Sequence, residues 1–138
     1  MVTPSQEDYL EAIWSITAQK GYARVSDIAE HLAISQASVS KMLRRLKTAG
    51  LVEVERYRGL SLTDKGTQQG KMLLARHHIL ERFLQSLGLT DPKTILRDVE
   101  GIEHYFSPDT LALLSALVTY IDQHPAWWKE FSQSLNRK

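Results

Sequence analysis

The chain has 138 residues, 43% hydrophobic and 24% charged, with a formal net charge of +1 and no cysteine. That length suits one domain or two small lobes, no apolar run nears the roughly 20 residues of a membrane span, and disulfides and thiolate metal ligands are excluded. The near-neutral total hides an uneven distribution: residues 20–71 hold ten Lys/Arg against five Asp/Glu, residues 1–19 three acids and no base, and residues 72–138 seven bases against eight acids.

The first residues, Met1-Val2-Thr3-Pro4-Ser5, lack a basic stretch followed by an apolar one. No signal peptide is expected, and a cytoplasmic location follows by default. Thr3-Pro4-Ser5-Gln6 reads as a helix start, with Thr3 as cap and Gln6 closing a capping box. The helix is predicted to run to about Gln19, with Tyr9, Leu10, Ile13 and Ile16 inward and Asp8, Glu11 and Ser15 on another face. Ser26 is the predicted cap of a short helix, Asp27 to Leu32. Ser35 opens another to about Ala49, stopped by Gly50, with Val39, Met42, Leu43 and Leu46 as its apolar stripe. Two short helices joined by a tight turn, the second basic on its outer face, form a helix-turn-helix.

Leu51 to Glu55 alternates, which would put Val52 and Val54 on one side, and Leu60 to Thr63 alternates again after a turn at Arg56-Tyr57-Arg58-Gly59. This is a hairpin pattern. A hairpin with arginines at its tip, placed directly after a helix-turn-helix, reads as a winged helix. Thr63-Asp64 caps a long helix of about 64–87, with Met72, Leu73, Leu80, Phe83, Leu84 and Leu87 at helical spacing. Pro92 starts the next helix, Ser107-Pro108-Asp109 another to about Gln123, and Pro125 a last one carrying Trp127, Trp128, Phe131 and Leu135.

Two constellations carry chemistry. On the second helix of the helix-turn-helix, Lys41, Arg44 and Arg45 suit phosphates, while Gln36, Ser38 and Ser40 suit base edges in a major groove; Arg56 and Arg58 at the wing tip add charge beside it. Together with the basic middle segment, they point to DNA as partner. The second constellation is acidic. On a continuous helix Glu100, Glu103 and His104 occupy positions i, i+3 and i+4 of one face, and Asp8 and Glu11 stand one turn apart on the first helix. Close carboxylates repel, and a divalent cation is the simplest counter-charge. Spacing alone leaves His77 and His78 as equal candidates for a further ligand, and Glu7 as an alternative to Asp8.

The order of a winged helix, a long helix and then Asp98-Val99-Glu100-Gly101-Ile102-Glu103-His104 resembles the diphtheria-toxin-repressor family of iron- and manganese-dependent transcription factors, and most of all its manganese-responsive members. The resemblance extends through Thr3-Pro4-Ser5, Asp8-Tyr9-x-Glu11, Gly21 to Glu30, Tyr57-Arg58-Gly59-Leu60 and Arg76-His77. It implies a mainly α fold: an N-terminal winged helix-turn-helix with a small β-hairpin wing over residues 1–71, and a C-terminal helical dimerisation and metal-binding domain over 72–138. The long helix would link the two. It also implies two Mn²⁺ per chain. Asp8, Glu11, His77 and Glu103 would hold one ion, assisted by the Glu100 carbonyl oxygen. Glu11, Glu100, Glu103 and His104 would hold the other, with Glu11 and Glu103 bridging. The resemblance thus selects His77 over His78 and Asp8 over Glu7. With the chain ending at Lys138, the SH3-like third domain of the iron-responsive members is not expected.

The implied function is a manganese-activated repressor of manganese-uptake genes, acting as a homodimer on a double-stranded DNA operator. It would be no enzyme and would need no membrane and no small organic substrate. The alternatives are a winged-helix regulator sensing another divalent metal or an organic ligand, and a carboxylate-bridged dinuclear enzyme, which would leave the basic wing unexplained.

Overall fold

The computed structural model describes residues 3–57 and 59–136, and the chain divides into two compact units, Met1–Leu74 and Ala75–Lys138. The N-terminal unit holds α1 (Pro4–Lys20), α2 (Val25–Leu32), α3 (Gln36–Thr48), β1 (Val52–Glu55), β2 (Gly59–Leu62) and the start of α4 (Asp64–Ser86). The C-terminal unit holds the rest of α4, then α5 (Pro92–Ile102), a 3-10 turn (Glu103–Tyr105), α6 (Pro108–Gln123) and α7 (Pro125–Leu135). Among the described residues no helix is long and apolar enough to cross a membrane.

Local chemistry sets most boundaries. Gln6 N–H donates to Thr3 Oγ1 at 3.2 Å and Thr3 N–H to Gln6 Oε1 at 3.0 Å, completing the capping box. Ser35 Oγ accepts from Ser38 N–H at 3.2 Å to open α3. The short helix starts earlier than predicted, and Ser26 is not its cap. Instead Asp27 reaches back to accept from Arg24 N–H at 3.1 Å, which moves the start to Val25. Lys20 donates to the same carboxylate at 3.0 Å, and that bond, with the Arg24 N–H adding to it, holds the Asp27 carboxyl below its ordinary value. Its contribution is therefore present above the unfolded carboxylate pKa and fades as pH falls through the lowered folded value.

Tyr9, Leu10, Ile13 and Ile16 of α1 are buried with Ile28, Val39, Leu43, Leu46, Leu51, Val52, Leu60 and Leu73, forming one core for the winged helix. β1 and β2 pair antiparallel, Val52 opposite Leu62 and Val54 opposite Leu60. Val54, on the same side of the strand as the buried Val52, is 57% exposed, because only the base of this two-stranded wing lies on the core. That base is anchored by Ala23 and Leu60, which exchange backbone bonds of 3.0 and 2.8 Å. Thr63 clamps the entry to α4: its Oγ1 accepts from Gly66 N–H at 3.0 Å while its hydroxyl donates to the Gly50 carbonyl at 2.6 Å.

In the C-terminal unit, Leu80 of α4 packs with Ile95 and Val99 of α5, bordered by Leu84, Leu89, Phe106, Leu111 and Leu114. Of the residues at helical spacing, Met72 of α4 and Leu87, in the turn that follows it, are 55% and 41% exposed. Met72 neighbours the buried Leu73 and so points about 100° around the helix from it, and Leu87 follows the last helical residue, Ser86. Asp91 opens α5, accepting from Thr94 Oγ1–H at 2.8 Å, and Ser107 opens α6, accepting from Thr110 N–H at 3.2 Å. Trp128 of α7 donates from Nε1 to the Ser86 carbonyl at 2.6 Å, filling an acceptor at the end of α4.

Gly66 and Gly101 give opposite predictions. A Cβ on Gly66 would fall 2.0 Å from the Leu51 carbonyl oxygen, backbone against backbone, whereas one on Gly101 would meet nothing within 4 Å. Gly66→Ala is expected to destabilise the winged-helix unit by about 2–3 kcal/mol. Gly101→Ala should stabilise by roughly 0.5–1 kcal/mol through the helical preference of alanine. Urea unfolding of the two variants measures both.

Candidate metal centre and nucleic-acid interface

Glu100, Glu103 and His104 do not share one helical face. At Ile102 the backbone opens to φ −114° and α5 ends, and Glu103 and His104 lie in the tighter 3-10 turn. Changing from i→i+4 to i→i+3 bonding rotates the residues beyond it about the axis. Glu100 stays exposed on α5, whereas Glu103 is 1% exposed.

Glu103 meets two imidazoles in its own unit. His77 Nδ1 donates to Glu103 Oε2 at 3.1 Å, and His104 Nε2 lies 3.8 Å from Glu103 Oε1. His77 is half-buried on α4, and neighbouring His78 is exposed, its ring edge-on to His77 at 6.2 Å. Two residues that spacing did not single out also border the cluster. Glu81, one turn beyond His77, brings Oε2 to 3.6 Å from His77 Nε2, a pairing that i,i+4 spacing could have flagged. Arg76 is 7% exposed and donates from Nη2 to His104 Nδ1 at 3.3 Å. Only the resemblance had pointed to Arg76, since an isolated arginine on a helix otherwise reads as a solvated charge.

Asp8 and Glu11 lie in the N-terminal unit, one turn apart on α1, Asp8 exposed and Glu11 half-buried. The donors of the two units are carboxylate oxygens and imidazole nitrogens without sulfur. Oxygen and imidazole donors, in either unit, suit a hard or borderline divalent cation. Glu103 is thus a buried carboxylate faced by two imidazoles.

The nucleic-acid side is built on α3. Gln36, Ser38, Lys41, Arg44 and Arg45 are exposed and Ser40 is half-buried, while Val39, Leu43 and Leu46 face the core. Ser35 Oγ donates to Ser38 Oγ at 2.9 Å, which fixes the orientation of that hydroxyl at the helix start. A cleft of about 650 Å³ opens between α3 and the wing, lined by Ser40, Arg44 and Arg56, and also by Arg24, Lys47 and Tyr57, which sequence reasoning passed over. Their signal is tertiary: Arg24 precedes α2 and Tyr57 sits in the wing turn, 84% exposed. Arg58 lies outside the described residues.

A winged helix with a cationic recognition face, followed by a helical unit that concentrates metal-type donors, defines a metal-responsive DNA-binding regulator. The comparisons with known proteins agree. The iron dependent repressor N-terminal DNA binding domain matches residues 1–60, and the iron dependent repressor metal binding and dimerisation domain matches residues 63–128. The HTH-type transcriptional regulator MntR of Listeria monocytogenes is 50% identical over 125 residues, covering 91% of this chain and 87% of that protein. MntR of Bacillus subtilis is 46% identical over 138 residues, covering 100% and 96%. Among solved structures, the manganese regulator SloR superposes with a TM-score of 0.74 at 28% identity, over 83% of this chain and 53% of that one, so this chain spans about half of SloR. The chain belongs to the iron dependent repressor family. It is a metal-dependent, DNA-binding transcriptional regulator and not an enzyme.

Glu103→Ala should weaken divalent-metal binding by about 100-fold through loss of the buried carboxylate that faces His77, while His78→Ala should leave the isotherm unchanged. Titration calorimetry on the full chain checks both.

Proposed function

We propose that the chain is a manganese-activated repressor of manganese-uptake genes, acting as a homodimer on a DNA operator in the cytoplasm. The observation that carries the metal part is Glu103, a buried carboxylate set between His77 and His104. The solved relative described as a manganese-dependent transcriptional repressor in complex with manganese, 30% identical over 81% of this chain, supports the choice of ion. Mn²⁺ is a weak binder in the Irving–Williams order, so a protein selects it through oxygen ligands and geometry rather than raw affinity. Four carboxylates and two imidazoles are that kind of set.

On this reading Asp8, Glu11, His77, Glu100, Glu103 and His104 hold two ions per chain. When bound, they would supply the positive charge that lets these carboxylates approach one another. Asp8 and Glu11 belong to α1, which packs in the DNA-reading core, whereas the other ligands belong to the C-terminal unit. Residues 1–71 would read DNA, residues 72–138 would bind metal and dimerise, and ligation would restrain the first relative to the second. Two recognition helices of a dimer must sit about 34–36 Å apart to enter successive major grooves. Gln36, Ser38 and Ser40 would then meet base edges while Lys41, Arg44, Arg45, Arg56 and Arg58 meet phosphates. Coupling is reciprocal, so operator DNA would tighten manganese binding by the same factor.

The test is operator binding with and without Mn²⁺. The reading expects a gain of at least about tenfold, and equal affinity in both conditions would overturn it. Asp8→Met exchanges a hard oxygen for a soft thioether and should weaken discrimination against iron in DNA-binding assays; unchanged selectivity would count against Asp8 as a ligand. Arg24→Ala and Lys47→Ala should each weaken binding uniformly across sequences and reduce the salt slope by about 1.

A further inference from the structure

We propose that Arg76 gates metal loading at His104 by holding the imidazole in the tautomer that cannot ligate beside Glu103. This rests on the reading of His104 as a metal ligand. Arg76, 7% exposed, donates from Nη2 to His104 Nδ1 at 3.3 Å, and on the other side of the ring Nε2 lies 3.8 Å from Glu103 Oε1. A guanidinium has five N–H donors, no acceptor, and keeps its protons at any ordinary pH. His104 Nδ1 is therefore the acceptor nitrogen. In a neutral ring this contact leaves the proton to Nε2, on the side of the Glu103 carboxylate.

Metals take a neutral imidazole through its unprotonated nitrogen. The nitrogen on the Glu103 side is Nε2, the protonated one. Ligation there requires the proton to appear on Nδ1 instead, where an Arg76 N–H already points; donor would face donor. Ligation through Nδ1 requires Arg76 to leave that nitrogen. On either route the ring keeps its single proton, no net proton is released, and Arg76 must give up His104 before the site closes. The chain thus carries an internal cation that competes for one ligand, and binding is weaker than the donor set alone would allow. A regulator gains from this a higher threshold without losing a ligand.

Two substitutions separate the gate from simple packing. Arg76→Gln keeps a buried polar side chain, and its amide turns to present either NH₂ to an acceptor Nδ1 or Oε1 to a donor Nδ1–H, so it serves both tautomers. Arg76→Lys keeps a donor-only cation. In the metal-free full chain, imidazole ¹⁵N shifts should report the Nε2–H form of His104 in wild type and Arg76→Lys, and a growing Nδ1–H fraction in Arg76→Gln. Calorimetry should show Mn²⁺ binding about tenfold tighter in Arg76→Gln and close to wild type in Arg76→Lys. An Nδ1–H ring in the metal-free wild type, or equal Mn²⁺ affinity in wild type and Arg76→Gln, would overturn the gate. So would tighter binding with the Nε2–H form retained, which would assign the effect to charge alone. Failure of the underlying reading looks different: an unchanged isotherm in His104→Ala would remove His104 as a ligand, and the gate with it.

Discussion

Burial of the Glu103 carboxylate is the constraint around which the C-terminal unit is arranged. An isolated buried carboxylate is costly, and the cost is offset only by hydrogen bonds and opposite charge. Here α5 ends at Ile102, one residue before Glu103, and the 3-10 turn aims that side chain at α4, where His77 meets it. Arg76, one position earlier on α4, reaches His104 on the far side. A cluster of one carboxylate, two imidazoles and a guanidinium is thus assembled from two short segments. Apolar packing of Leu80 against Ile95 and Val99 fixes those segments in place.

The N-terminal unit solves a different problem. It must present cations to solvent without letting them destabilise a small core. Anchoring only the base of the wing, through Ala23 and Leu60, leaves its tip free to carry charge and an exposed Tyr57. Arg24, Arg44, Lys47 and Arg56 then line one cleft beside α3. Their mutual repulsion in the free protein is relieved by a polyanion, with release of its counterions. The acids of α1 are the same sequence's other extreme, and on the proposed reading they answer to a small cation instead of a large anion.

Much of this was legible in the residues because it is local. Thr3, Ser35, Thr63 and Ser107 each cap the helix predicted for them, since capping depends on a side chain and a backbone N–H three residues on. The winged helix followed from periodicity and the position of the arginines. What stayed hidden depended on contacts between elements or on a change of helical pitch. No propensity shows that α5 tightens at Ile102, and so Glu100, Glu103 and His104 were expected on one face. Val54 matched Val52 in type, and only the overhang of the wing separates them. Spacing could not separate His77 from His78; the contact that Glu103 makes with His77, while His78 stays exposed, belongs to the packing of α4 against the 3-10 turn.

The central claim is that metal bound through Glu103 joins the two units into one DNA-reading arrangement. The most direct measurement is the distance distribution between fluorophores placed on Thr48 and Arg97, one in each unit, as Mn²⁺ is titrated into the dimer. The account predicts a broad distribution without metal that narrows at saturating Mn²⁺ in wild type and stays broad in Glu103→Ala. Identical distributions with and without Mn²⁺ in wild type would contradict it.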